Sequence, residues 1–89
     1  MSRHQIALFT FTLSGEGSIG PDALREIWKR ASESNNVSVG RKLLHGNQDR
    51  PVYTLYAPQG LADLRGVEMR LRRLLEATHL NASLSVLPP

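Results

Sequence analysis

Gln5-Ile6-Ala7-Leu8-Phe9-Thr10-Phe11-Thr12-Leu13 alternates along the chain, and beyond a glycine-rich connection the run Pro21-Asp22-Ala23-Leu24-Arg25-Glu26-Ile27-Trp28-Lys29-Arg30-Ala31 switches to a helical period. Side chains two apart share a side of a strand, and those three and four apart share a side of a helix. The first stretch therefore predicts a strand and the second a helix. Reading outward, Val37 to Leu44 and Val52 to Ala57 are again strand-like, Leu61 to Thr78 is helical, and Ala82 to Leu87 is a last short strand. The order β-α-β-β-α-β fills all 89 residues. It predicts one domain, residues 1–89, of the α+β class: a ferredoxin-like two-layer sandwich with an antiparallel four-stranded sheet and two helices on one face.

Strict alternation divides the first strand into two sets. Ala7, Phe9, Phe11 and Leu13 point one way; Ile6, Leu8, Thr10 and Thr12 point the other. The threonines assign the second set to the side without helices. Because both sets contain apolar residues, this strand is expected to be central. In the first helix Leu24, Ile27, Trp28 and Ala31 form one apolar stripe, which makes Trp28 a core anchor. Pro21 suits the opening turn. In the second helix Leu64, Val67, Leu71, Leu74, Leu75 and Thr78 share a face. Gly66 interrupts that pattern, marking either close packing against the first helix or a start later than Leu61.

Composition narrows the chemistry. Hydrophobic residues at 40% and charged residues at 21% are ordinary for a folded domain. The chain has no cysteine, which removes disulfides, thiolate nucleophiles and sulfur-ligated metals. No apolar run approaches the roughly 20 residues that span a bilayer, so a soluble, cytoplasmic protein with no membrane partner is expected. His4, His45 and His79 lie in three distant segments, without metal-ligand spacing. No serine sits in a nucleophile elbow. No catalytic residue, metal or cofactor is expected, and the chain reads as a non-enzyme.

Three surfaces remain as binding candidates. The open side of the sheet would present Ile6, Leu8, Thr10 and Thr12 with Val52, Thr54 and Tyr56, a half-apolar, half-hydroxyl face that suits a homodimer or a partner protein. The net charge of +3 favours an acidic partner mildly, and Arg41, Lys42, His45 and Arg50 gather on the hairpin formed by the two middle strands. Such a hairpin either tracks a phosphate backbone, making nucleic acid a second partner class, or protects a sheet edge with charge. The loop Gly15-Glu16-Gly17-Ser18-Ile19-Gly20 has glycines at the spacing of a dinucleotide loop, so Gly15, Gly17 and Gly20 are ligand candidates for a phosphate or small molecule. Against that stand the short chain, the hairpin-connected strands and the charge of Glu16. The four arginines of the second helix, interleaved with Asp63, Glu68 and Glu76, read as a solvated face.

Two family comparisons bear on these surfaces. In strand and helix order, and in Leu8-Phe9-Thr10-Phe11-Thr12-Leu13 with Phe9 at the aromatic position, the chain resembles the RNA recognition motif. The resemblance implies base stacking on aromatics of the first and third strands, here Phe9 on the first, with Tyr53 or Arg50 at the third-strand position depending on register. Arg50 to Tyr56 departs from that pattern by lacking its glycine. Acylphosphatases share the expected fold and bind phosphate between the first strand and first helix through a loop arginine. Ser14 to Gly20 contains none, which argues against that activity.

Overall fold

The computed structural model describes residues 5–13, 19–43, 51–61 and 63–87. Its elements are β1 (Gln5–Leu13), α1 (Pro21–Ser32), β2 (Ser38–Leu43), β3 (Pro51–Pro58), α2 (Leu64–Ala77) and β4 (Ala82–Val86). The four strands form one antiparallel sheet in the order β2-β3-β1-β4. Both helices cover the same side. This is the ferredoxin-like α+β sandwich, with β1 in a central position between β3 and β4.

The core lies between the sheet and the helices. Phe9, Phe11 and Leu13 of β1 and Tyr53, Leu55 and Ala57 of β3 meet Leu24 and Trp28 of α1 and Val67, Leu71 and Leu75 of α2, all buried. Phe11 stacks on Tyr53, its cross-strand partner, at a centroid distance of 4.9 Å. Phe9 meets Trp28 edge to face at 5.7 Å, and the indole N–H donates to the Tyr56 carbonyl at 2.8 Å. That bond satisfies the polar atom of a side chain with no exposed surface.

β1 is not regular. Ala7 stands opposite Tyr56 and Phe9 opposite Leu55, so Leu8 is an extra residue, a β-bulge. The bulge shifts the alternation by one position. Ile6, opposite Ala57, turns to the helix side and packs against the core, and Leu8 is buried there, while Ala7 turns to the open side. The expectation of Ile6 and Leu8 on the open face is thus corrected. Trp28 is bonded next to the bulge, at the carbonyl of Tyr56, the residue opposite Ala7.

α1 begins at Pro21 behind Gly20, whose carbonyl accepts the Leu24 amide at 3.0 Å. It ends at Glu33, which takes a left-handed conformation at φ 56°. α2 starts later than the apolar pattern alone suggests. Asp63 caps it, accepting the Gly66 amide at 3.2 Å, and a Cβ on residue 66 would collide with that carboxylate. Gly66 therefore belongs to the cap and not to contact between helices. The helices are joined by Arg70, whose Nε donates to the Ala31 carbonyl at 3.0 Å and whose guanidinium pairs with Glu33 at 3.4 Å. Arg70 is thus a tie between α1 and α2 and leaves the solvated set, while Arg72 stays at the surface in its expected pair with Glu68 at 2.7 Å.

Candidate docking face

Residues directly opposite on neighbouring strands share a side of the sheet, so the registers define the open face row by row. One row crosses all four strands as Gly40, Thr54, Thr10 and Ser85. The next runs Lys42, Val52, Thr12 and Ser83, and on the other flank lie Ser38, Tyr56 and Ala7. Five of the seven residues expected here are brought together: Thr10, Thr12, Val52, Thr54 and Tyr56. Ile6 and Leu8 are not.

The chemistry of this face is mostly hydroxyl. Thr10, Thr12, Thr54 and Tyr56 are half-buried among their neighbours, and Lys42 is the one charged side chain in these rows. Tyr56 lies over Gly40, where an added Cβ would come within 3.2 Å of the ring at Cε2. Gly40 thereby leaves room for the Tyr56 ring to pack closely on β2. At the adjacent margin the Gln5 side chain holds the β2 entry, donating to the Asn36 carbonyl at 3.2 Å and accepting from the Ser38 hydroxyl.

Ala7, Ser38, Gly40, Ser83 and Ser85 were absent from the sequence-based set. Their membership follows from register, which residue type does not encode; alternating Ser83 and Ser85 along β4 was the available signal.

The other candidates are dispersed. Arg41 stands opposite the buried Tyr53 and Lys42 opposite Val52, so the two point to opposite sides of β2. Both are exposed. His45 and Arg50 lie outside the described residues, as do Gly15 and Gly17. Gly20 has φ −70° and ψ 154°, which any residue adopts, and a Cβ there would meet nothing within 4 Å. Beside it is an open cavity of about 200 Å³ lined by Ile19, Pro21, Leu24, Val39, Gly40, Arg41 and Tyr53, mostly apolar in character. The Tyr53 hydroxyl accepts the Ile19 amide at 3.3 Å. Phe9, Phe11 and Tyr53 are all beneath the helices, so the stacking role that the RNA recognition motif implies for Phe9 and Tyr53 is not available on the open face. Among the described residues no group of His, Asp and Glu side chains is arranged to hold a metal ion, and no helix is long and apolar enough to cross a membrane.

No protein-family model and no curated protein matches the sequence. Among solved structures, the chain is similar to a C-terminal segment of the alpha subunit of aIF2 from Pyrococcus abyssi, at 17% identity and a TM-score of 0.47. The match covers 94% of this chain and 51% of that one, so this chain spans about half the length of that structure.

Proposed function

We propose that this chain is a non-enzymatic interaction module that docks a partner protein on the open face of its sheet. The observation that supports the reading is the scarcity of charge there. A sheet face turned to water ordinarily carries Lys and Glu, whereas the centre of a protein interface is depleted of charge and keeps aromatics. The rows around Thr54 have hydroxyls, Val52 and Tyr56, with Lys42 alone at the β2 side. Such a surface offers donors and acceptors to a partner's main chain at little desolvation cost compared with charged groups.

The nucleic-acid reading keeps Tyr56 as a stacking surface and Lys42 as a phosphate contact. The protein reading is favoured because single-stranded nucleic acid needs several of each.

The test compares Thr54→Arg with Met69→Arg, the latter on the exposed side of α2, in affinity capture followed by titration of the purified partner. Loss of binding with Thr54→Arg but not with Met69→Arg supports the reading. Equal binding by both variants refutes it. Titration with short single-stranded RNA completes the comparison. Affinity that falls by about 0.7 log units per phosphate contact for each tenfold rise in salt, with amide shifts at Thr10 and Thr54, would favour nucleic acid instead.

A further inference from the structure

The outer edge of β4 and the flank of α2 above it form a second surface, independent of the open face. β4 is an edge strand paired with β1. The Leu87 amide donates to the Leu8 carbonyl at 3.0 Å, next to the Phe9–Val86 pair, and this fixes the phase of the ladder. Ser83 and Ser85 turn their main-chain groups toward β1, so Ala82, Leu84 and Val86 turn theirs outward. Ala82 to Val86 contains neither charge nor proline, the usual devices that keep an edge from pairing. The opposite edge, β2, has both Arg41 and Lys42 exposed.

Above this edge, Arg65, Glu68, Arg72 and Glu76 line the clefts between α2 and β4, on the flank away from α1. Their charges alternate along the helix: positive, negative, positive, negative. A two-fold axis reverses the direction of a second copy and so opposes every charge with its opposite. Arg65 then faces Glu76 of the second copy, and Glu68 faces its Arg72.

We propose that two copies of this chain pair through β4 about a two-fold axis at Leu84, joining two four-stranded sheets into one. Leu84 stands opposite Leu84, Ala82 opposite Val86, and the outward groups supply about six main-chain hydrogen bonds. Strands lie about 4.8 Å apart and each helix covers two of them, so the two α2 helices come to about 10 Å, ordinary helix-packing distance. At that separation the alternating charges meet. Val86 and Leu64, 55% and 47% exposed in the single chain, border the contact and lose water there.

Sedimentation equilibrium of the full chain over a wide concentration range tests this. A dimer is expected. Val86→Lys and Arg65→Glu should each weaken it on the order of tenfold, since the axis counts every substitution twice. The double variant Arg65→Glu with Glu76→Arg should recover the affinity, because positions 65 and 76 again face each other across the axis with opposite charges, their signs exchanged, while Glu68 still faces Arg72. All these positions are exposed, and circular dichroism verifies that each variant is folded. Thr54→Arg should leave the mass unchanged. A chain monomeric at every concentration, a dimer indifferent to Val86→Lys and Arg65→Glu, or a dimer lost with Thr54→Arg would overturn the proposal.

Discussion

Leu8 and Ala7 exchange the roles that strict alternation assigns them, and their substitutions measure the bulge directly. In a regular strand Leu8 belongs to the open face and tolerates truncation, while Ala7 belongs to the core and rejects a charge. In the bulged strand Leu8 is 7% exposed and packed with Phe9, and Ala7 stands on the open face opposite Tyr56. Leu8→Ala removes buried methyl groups and leaves a cavity; truncations of this type cost about 2–5 kcal/mol. Leu8 borders an open cleft with Leu64 and Val86, where the site can collapse, so the lower part of that range applies, about 2–3 kcal/mol. For a domain of this size each kcal/mol lowers the melting midpoint by about 4–8 °C, giving a loss of about 8–24 °C. Ala7→Lys places its stem across the sheet with the ammonium in water and should cost under about 1 kcal/mol. Urea unfolding followed by Trp28, the single tryptophan and a buried neighbour of Phe9, reports both. Should Ala7→Lys destabilise the chain more than Leu8→Ala, β1 is regular, and the composition assigned to the open face is wrong.

Two further substitutions probe the ties that hold the layers. Trp28→Phe keeps an aromatic ring but leaves the Tyr56 carbonyl without its indole donor; a loss of about 1–3 kcal/mol is expected from urea midpoints followed by circular dichroism. Arg70→Met deletes the hydrogen bond to the Ala31 carbonyl and should cost about 1 kcal/mol, whereas Glu33→Gln, acting on an exposed ion pair, should stay within a few tenths by the same assay.

The elements were legible because each rests on a local period. The stripe through Leu24, Ile27, Trp28 and Ala31 has one helical reading, and Pro21 and Asn35-Asn36 limit its extent. The alternation of Val52 to Ala57 similarly points Tyr53 and Leu55 to one side. The bulge at Leu8 was not legible, since inserting one residue leaves Gln5 to Leu13 as an apparently uninterrupted alternation of apolar positions. Only the pairing with β3 reveals that Ala7 and Leu8 share one step of the ladder. The error fell on the very residues that made the open face look apolar. With Ile6 and Leu8 beneath the helices, its character shifts from half apolar and half hydroxyl to mostly hydroxyl. The α2 charges show a related limit. Glu68 and Arg72 were readable as a pair at i and i+4, but Arg70 and Arg72, two residues apart, go to opposite flanks of the helix, one tying α1 and the other lining the β4 cleft.

The two proposed surfaces use different physics, which makes them separable in one molecule. Docking on the rows around Thr54 relies on hydroxyls, Tyr56 and the exclusion of water, with one charge at the margin; added salt should change it little. Pairing through β4 sets four alternating charges against their opposites at the surface, and these are screened as the Debye length falls to about 3 Å near 1 M salt. The main-chain hydrogen bonds of the edge are unaffected by that screening. Self-association should therefore weaken with salt without vanishing. Geometry links the surfaces even so. Pairing at β4 continues the sheet, so the Thr10 and Thr54 rows of two copies would lie on one side of a single extended layer. A partner with two-fold symmetry could then engage both rows together, and edge pairing would raise its avidity without adding a contact to either face.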